Sequence, residues 1–364
     1  MKSNYNQLGQ YIEMVSRTNA DLKYGIEDVR GCSNTKQMMQ TRANLIGRTY
    51  EKFIVLRPQE FVFNRRTTRN GEKIGMAYNN TDREYIFTND YVAFRVKQEY
   101  LDKLLPDYLY MFFCRDEFDR YARYKSTGSA TEFFNWEDMC AVPFEIPPMD
   151  FQQLVVNAYK VLNERIETKQ KINDNLEAQA EAIYNEVIAN NSTNSTMSTL
   201  GEISTIKTGK LNSEAAVING IYPFFTCSQE TYRTNTFSFD QEAVLLAGNN
   251  ASAIYPLKIY CGKFDVYQRT YVISSNNRFV SNKQLYFVLK QQLNEFKGIS
   301  SGTTTKFLTM KILTPIPVVI APEDIATSFI NITNKIFETI FQNQREIEHL
   351  RELQMIILGE LLRD

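Results

Sequence analysis

Residues 150–188 read DFQQLVVNAYKVLNERIETKQKINDNLEAQAEAIYNEVI, and this stretch decides the fold. Asp150 follows Pro147-Pro148 and can accept hydrogen bonds from the first-turn N–H groups, with Gln153 in the position of a capping-box partner. No Gly or Pro interrupts the stretch. Apolar residues recur with the 4-3 spacing of a heptad seam, at Val155, Tyr159, Leu162, Ile166, Leu176, Ala180, Ile183 and Val187. The spacing predicts a long helix that pairs with another helix.

The partner helix is predicted at the other end of the chain. Asp324 follows Pro322 as Asp150 follows Pro148, and the seam recurs at a constant numbering offset of 174. The second seam comprises Phe329, Ile336, Ile340, Asn343, Ile347, Leu350 and Ile357. Two helices with the same cap and register form an internal repeat. Two unrelated amphipathic helices are the alternative, but they do not account for the shared offset.

A polar interruption of the seam repeats with the same offset. Lys169 in the first helix corresponds to Asn343 in the second, and each lies near the middle of its helix. If the helices pair in antiparallel fashion, these two residues should meet. A buried polar layer of this kind lowers stability but fixes the register of the pair.

Two globular segments alternate with the helices, and their ends match. Leu8-Gly9 corresponds to Leu200-Gly201 at an offset of 192, whereas the loop 126–133 corresponds to 300–307 at an offset of 174. The predicted fold class is α+β, with two pseudo-repeated mixed α/β domains separated by two long helices that form an antiparallel coiled coil. The predicted segments are a first domain at 1–149, a first helix at 150–190, a polar linker at 191–199, a second domain at 200–322 and a second helix at 323–364.

Local patterns predict further elements within the domains. Aromatic residues at helical spacing predict a helix over 106–124, with its aromatic stripe in the core rather than stacked on bases. Short apolar runs predict strands at 52–56, 60–63, 90–96, 243–246, 271–273 and 284–289.

Charge is distributed unevenly along a chain whose net charge is −1. Residues 197–322 carry 12 Lys and Arg against 7 Asp and Glu, whereas residues 323–364 carry 4 against 8. Basic segments between acidic helices suit a protein that touches a polyanion locally, with ordinary charge scatter as the alternative.

Marks of an enzyme are absent from the sequence. It contains no phosphate-binding G-x-x-x-x-G-K-[ST] loop and no G-x-G-x-x-G motif, and Ile146-Pro-Pro-Met-Asp150 lacks the polar residue that precedes the prolines in amino-methyltransferases. His349 is the only histidine, which argues against Ser-His-Asp catalysis and His-based zinc sites. Five cysteines without a C-x-x-C pair predict reduced thiols in the cytoplasm, and no 18-residue apolar run predicts a membrane span.

Cationic and hydrogen-bonding side chains predict contacts to DNA. Arg and Asn pair with guanine and adenine edges, while Lys and Thr suit phosphates. Candidates in the first domain lie in the loops 64–73 and 126–131 or directly before the second loop, and are Arg65, Arg66, Arg69, Lys73, Lys125, Ser126, Thr127 and Ser129. Candidates in the second domain are Lys207, Lys210, Arg233, Lys263, Arg269, Thr303, Thr304 and Lys306. For the two Ser/Thr-Gly loops, a structural turn before the final strand is the alternative.

The paired order of these segments resembles the specificity subunits of type I restriction–modification systems. The openings Leu8-Gly-Gln and Leu200-Gly-Glu-Ile-Ser-Thr-Ile-Lys-Thr-Gly-Lys210 are similar to the start of that family's target-recognition domains. The closings Ser126-Thr-Gly-Ser and Ser300-Ser-Gly-Thr, each followed by prolines and a helix, are also similar. Ala321-Pro322 departs from Pro147-Pro148 without affecting the scaffold. The resemblance covers essentially the whole chain, but it does not extend to the middles of the domains.

The resemblance implies a non-catalytic DNA reader in the cytoplasm, with no cofactor of its own. Each domain would read one half of a bipartite target in double-stranded DNA. The coiled coil would set the half-site spacing and dock two modification subunits, which use S-adenosylmethionine to methylate adenine N6. A restriction subunit that uses ATP and Mg is left open as a further partner. The alternatives are a phage-defence methyltransferase complex without a restriction subunit, a fused enzyme with divergent motifs, and a coiled-coil scaffold with no nucleic-acid role.

Overall fold

A computed structural model describes residues 6–41, 45, 47–66, 73–128, 132–189, 194–218, 220–250, 253–299 and 306–360. The chain divides into two compact units, of which the first comprises Met1–Ile166 with His349–Asp364 and the second comprises Glu167–Glu348. Each long helix therefore contributes residues to both units. None of the helices within the described ranges has an apolar stretch long enough to cross a bilayer.

The described residues form helices and strands in both units. The helices are α1 (Pro106–Phe113), α2 (Asp116–Lys125), α3 (Trp136–Cys140), α4 (Met149–Tyr184), α5 (Leu200–Ile203), α6 (Asn282–Ile299), α7 (Met310–Leu313) and α8 (Glu323–Glu360). The strands of the first domain are β1 (Ile12–Val15), β2 (Arg30–Cys32), β3 (Met38–Gln40), β4 (Ile54–Leu56), β5 (Phe61–Asn64), β6 (Met76–Tyr78), β7 (Tyr85–Phe87) and β8 (Tyr91–Val96). The strands that follow α4 are β9 (Thr196–Thr199), β10 (Ser204–Thr208), β11 (Tyr222–Phe225), β12 (Thr231–Thr234), β13 (Phe239–Ala247), β14 (Asn249–Asn250), β15 (Leu257–Val266), β16 (Thr270–Ser275), β17 (Lys306–Phe307) and β18 (Pro317–Ile320).

The first domain is built on an antiparallel sheet with the order β1-β8-β5-β6. Strand β5 is buried over Phe61, Val62 and Phe63, so both of its faces are covered. Helices α1 and α2 cover one face, and Phe61 stacks on Phe94 at a ring separation of 5.0 Å. The predicted aromatic stripe is therefore in the core.

The second domain repeats this plan and extends it. Its sheet has the order β10-β16-β13-β15-β11-β12, and the first four strands match β1-β8-β5-β6. Strand β10 pairs with β16 in the antiparallel fashion in which β1 pairs with β8. Helices α7 and α8 begin at the offset of 174 from the starts of α3 and α4. The internal repeat predicted from sequence offsets is therefore present in the topology.

The strand predicted at 284–289 was wrong, because this run lies inside helix α6. Residues 283–289 are all buried, so α6 is covered by protein on every side over this stretch. A short continuous apolar run gives no periodicity that separates a buried helix from a buried strand. At the offset of 174, α6 corresponds to α1 and α2, where helical spacing was readable, although the single helix predicted over 106–124 is divided in two after Phe113.

The predicted cap of the first long helix was also misplaced. Helix α4 begins at Met149, so Asp150 lies within its first turn. A carboxylate in this position still interacts favourably with the helix dipole. Gln153 donates to Asn157 Oδ1 at 2.9 Å rather than to the helix start. The fully buried Gln152 anchors this end, because its Oε1 accepts from Leu105 N at 2.9 Å and its Nε2 donates to the carbonyls of Lys103 and Pro147.

Within the second unit, α4 and α8 pair in antiparallel fashion through a polar layer. Lys169 Nζ donates to Asn343 Oδ1 at 2.9 Å, as predicted, and lies 2.7 Å from Glu346 Oε2. Asn343 Nδ2 donates to Asn173 Oδ1 at 2.8 Å. Lys169 of α4 contacts Glu346 of α8, whereas Asn173, one turn later on α4, contacts Asn343, one turn earlier on α8. The two helices therefore run in opposite directions.

None of the thirteen residues proposed for the seam is exposed. The buried members are Val155, Ile166, Phe329, Ile340, Asn343, Ile347 and Leu350. The partly buried members are Leu162, Lys169, Leu176, Ile183, Ile336 and Ile357.

Helix α6 joins the second domain to both long helices within this unit. Lys290 Nζ lies 2.7 Å from Glu177 and 2.7 Å from Glu181 on α4. The buried Lys283 pairs with Glu242 of β13 and donates to Asn334 Oδ1 of α8 at 2.9 Å.

Substitution of the polar layer should affect stability in a defined order. Asn343→Leu leaves Lys169 with one partner in a half-buried site, and we expect a loss of about 1–3 kcal/mol in the free energy of unfolding. The double variant Lys169→Leu, Asn343→Leu also removes the lysine charge and should be more stable than Asn343→Leu, although Glu346 and Asn173 each lose one contact of the layer. Urea unfolding followed by circular dichroism measures both, and a double variant less stable than Asn343→Leu would contradict the assignment.

Candidate nucleic-acid interface

The two predicted recognition loops of the first domain, 64–73 and 126–131, are connected by backbone hydrogen bonds near their ends. Phe134 N donates to Arg65 O at 2.9 Å, and Arg66 forms an isolated bridge with Phe133. Thr127 and Phe133 exchange backbone hydrogen bonds of 3.2 and 2.9 Å. The end of β5 and the segment after α2 therefore converge, and they bring Arg65 and Arg66 beside Ser126 and Thr127.

The two arginines differ in their surroundings. Arg65 is exposed, and its guanidinium lies 6.0 Å from the centre of the Phe133 ring. Arg66 pairs with Asp90 at 3.7 Å, but its side chain is 54% exposed, so this ion pair is weak and easily exchanged for a phosphate or a base. Both cations are available to a ligand.

The hydroxyl-rich segment is partly committed to structure. Ser126 Oγ donates to Ala122 O at 2.7 Å at the end of α2, which fits the alternative of a structural turn for this residue. Thr127 is exposed. The predicted contacts at Arg69, Ser129, Thr303 and Thr304 lie outside the described residues.

The two candidate lysines of the first domain lie at opposite ends of α2. Lys73 pairs with Asp116 at the start of the helix, at 3.5 Å. Lys125 is the last residue of the helix, and its Nζ lies 5.8 Å from the rings of Tyr121 and Tyr124. The helix separates its two ends by about 13 Å at 1.5 Å per residue, and Lys125 lies at the end that leads directly into Ser126 and Thr127.

A buried ion pair missed by sequence reasoning anchors the far end of the basic loop. Lys36 and Asp119 form this pair, with side chains 3% and 6% exposed. Asp119 Oδ1 also accepts from Ile74 N at 3.0 Å, while Lys36 Nζ donates to Ile74 O at 2.8 Å. Burial lowers the pKa of Lys36, and Asp119 opposes that shift. The pair fixes residue 74, directly after the loop, to helix α2.

The second domain has the same junction with different side chains. Leu308 N donates to Gly248 O at 2.9 Å, just as Phe134 N donates to Arg65 O, and Leu308 corresponds to Phe134 at the offset of 174. Asn249 pairs with Phe307, as Arg66 pairs with Phe133. Gly248 and Asn249 therefore occupy the places of Arg65 and Arg66.

A cation also covers the second phenylalanine. The Arg269 guanidinium lies 5.2 Å from the Phe307 ring, although Arg269 comes from the turn before β16. Gly248 N donates to Arg269 O at 2.8 Å, and a Cβ at Gly248 would lie 2.5 Å from that oxygen. The absence of a side chain at Gly248 lets the two segments approach.

A cleft of about 550 Å³ opens beside this junction. Asn249, Asn250, Tyr232, Tyr267 and Ser228 are among the uncharged residues that line it. Three of the candidate cations lie on backbone next to the lining. Arg269 is two residues from Tyr267, Lys306 is paired with Asn250, and Lys210 precedes Leu211, whose carbonyl accepts from Gln268 N at 2.9 Å.

Three other candidates of the second domain lie on separate strands. Lys207 is exposed on the edge strand β10, and Lys263 lies on β15 with its Nζ 4.8 Å from the Phe237 ring. Arg233 on β12 donates to Ile221 O at 3.1 Å and lies 3.5 Å from Glu348. Arg233 is thus held by its own unit. Within the described ranges, no three His, Cys, Asp or Glu side chains converge to hold a metal.

The sequence analysis did not identify Asn249 and Asn250 as candidate contacts, because asparagine after a strand usually indicates a turn. The offset of 174 from Phe133 to Phe307 was readable, but the partner of Phe307 was not, because Asn249 is distant from it along the chain.

The family model for the type I restriction modification DNA specificity domain matches the chain twice, over residues 35–178 and 193–356. The chain belongs to this family. The resemblance stated from the paired domain ends and the predicted fold class are therefore confirmed.

Individual relatives agree with the family assignment. The chain is 38% identical over 117 residues to the type I restriction enzyme EcoDI specificity subunit of Escherichia coli, a match that spans 32% of this chain and 25% of that one. A type I restriction-modification S subunit from M. genitalium has the same fold, with a TM-score of 0.54, 14% identity, and coverage of 100% of this chain and 98% of that chain. An HsdS subunit from Thermoanaerobacter tengcongensis is 15% identical and covers 99% and 96%, but its TM-score of 0.38 adds nothing to the fold argument.

Replacement of the arginine pair should weaken DNA binding by the assembled complex. For Arg65→Ala or Arg66→Ala, a contact to a base should cost about 1–3 kcal/mol and relax one position of the target. A contact to phosphate should instead weaken all sequences alike and reduce the salt slope by about one. Titration of duplex DNA at several salt concentrations separates the two. Arg120→Ala removes an equally exposed arginine that is paired with Glu117 and serves as the control. Unchanged affinity in the double variant Arg65→Ala, Arg66→Ala would contradict a DNA role for the loop.

Proposed function

We propose that this chain is the specificity subunit of a type I restriction–modification complex, in which each domain reads one half of a bipartite DNA target. The observation that carries the proposal is the repeated junction. The two domains share a four-strand order and the same backbone bonds at the end of the third strand, yet one presents Arg65-Arg66 there and the other Gly248-Asn249. Two domains with the same backbone frame but different side chains at this junction are suited to bind two different DNA sequences.

The long helices suit a spacer between the half-sites. Helices α4 and α8 contain 36 and 38 residues, which correspond to about 54 and 57 Å at 1.5 Å per residue. One turn of DNA measures about 34–36 Å. Each helix is thus long enough to separate two readers by more than one turn, so the target should contain a fixed number of unread base pairs.

Exposed apolar side chains on the helices support docking of partner subunits. Leu154 and Val161 lie seven residues apart on α4 and are 67% and 62% exposed, although the seam residue Val155 is buried. On α8, Met355 and Ile356 are 54% and 55% exposed. Exposed apolar groups at regular spacing are typical of a protein interface. In the proposed complex these surfaces dock two modification subunits.

The proposed role of this chain is non-catalytic. The modification subunits would bind S-adenosylmethionine and methylate adenine N6 after the base is flipped out of the duplex. A restriction subunit that uses ATP and Mg is left open as a further partner of the same complex. The chain's own part is to hold the duplex in register, because phosphate contacts position a protein and base contacts specify its target.

The methylation pattern of host DNA tests the proposal. Long-read sequencing of cells with the chain, without it and with it restored should show one bipartite, asymmetric N6-methyladenine motif that disappears and returns with the chain. The chain should copurify with a methyltransferase from the same cells. A motif that persists without the chain, or a methyl-transfer activity in the purified chain alone, would contradict the proposed role.

A further inference from the structure

The cleft beside Asn249 occupies, in the second domain, the place that Arg65 and Arg66 occupy in the first. The correspondence rests on the backbone bond from Leu308 N to Gly248 O and on the pairing of Asn249 with Phe307. Two features recur at both junctions, namely a phenylalanine at the offset of 174 and an arginine over its ring. The junction is therefore a repeated surface, and in the second domain this surface includes the cleft.

Asn249 is one of the residues that line the cleft. Its Oδ1 is buried and accepts no hydrogen bond from the described residues. A buried acceptor without a donor is destabilising, so such groups in native proteins call for an explanation. Because χ2 of asparagine is broad and roughly two-fold, the amide can turn its oxygen toward a donor in the cleft at little cost.

The surroundings of the cleft suit the edge of a base. The lining residues are uncharged, while Lys210, Arg269 and Lys306 lie on adjacent backbone, where they can meet the phosphates on either side. Tyr232 and Tyr267 add apolar ring surface. A volume of about 550 Å³ lies within the range of about 300–1,000 Å³ that is usual for small-molecule sites.

We infer that Asn249 is a specificity-determining residue of the second half-site and that it recognises adenine. Asparagine pairs bidentately with adenine, with Oδ1 accepting from the N6 amino group and Nδ2 donating to N7. Cytosine also offers an amino group in the major groove, but it lacks the neighbouring acceptor that Nδ2 would use. This inference rests on the proposed function, because it assigns one contact within the second reader.

A double-mutant cycle between the protein and the base tests the inference. The complex of this chain with its modification subunits is titrated with duplexes that carry the methylated motif, in which 7-deazaadenine replaces each adenine of the second half-site in turn. At one position the substitution, which removes N7 and with it one hydrogen bond, should weaken binding by the wild-type complex by roughly 2- to 13-fold. With Asn249→Ala the same substitution should have no further effect, since the contact is already absent.

Controls separate a lost contact from a misfolded domain. Asn235→Ala removes an exposed asparagine of the same domain and should leave the response to 7-deazaadenine as in the wild type. Duplexes altered in the first half-site should be discriminated equally by the wild type and by Asn249→Ala, which shows that the complex is intact.

The outcomes distinguish the inference from the proposed function. If 7-deazaadenine weakens wild type and Asn249→Ala equally at every position, or if the coupled base is cytosine, the assignment of Asn249 to adenine is wrong while the bipartite reading stands. If the complex shows no bipartite motif at all, the proposed function itself fails. Coupling at a single adenine would establish the contact.

Discussion

The antiparallel pairing of α4 with α8 is the constraint on which the second unit depends. Its polar layer joins Lys169 to Asn343 and Glu346, and Asn343 in turn to Asn173. A slip of the helices by one heptad would leave a lysine and two amides against apolar side chains, so the layer fixes one register. Helix α6 then attaches the second domain to both helices through charged side chains. The register of the helix pair thus fixes which residues of α4 and α8 are available to α6.

The two domains share a common backbone frame but differ in the side chains at the junction. The strand order, the hydrogen bond at the end of the third strand and the arginine over phenylalanine are common to both copies. The side chains at the junction differ, with a cationic pair at Arg65-Arg66 and a polar amide at Asn249. Under the proposed function, a change of target requires new side chains at a few positions of the junction, while the buried sheet and the helices remain as they are.

Much of this frame could be predicted from the sequence, because repeats and heptads are periodic. The offset of 174 located both long helices and the meeting of Lys169 with Asn343. Helix α6 could not be distinguished from a strand, since its run over 284–289 is buried on every side and has no exposed polar face. The ion pair of Lys36 with Asp119 and the partner of Phe307 were also missed, because both depend on contacts between residues far apart in the chain, and single residues without a pattern give no signal of such contacts.

The independence of the two readers is the central claim, and exchange of one domain measures it most directly. Residues 10–145 are replaced by the corresponding stretch of a related chain that directs a different motif, and the methylated motif is mapped in the same host. The account predicts that one half of the motif changes to the donor's sequence, while the other half and the number of base pairs between them stay the same. A change in both halves together, or a single continuous palindrome before and after the exchange, would contradict it.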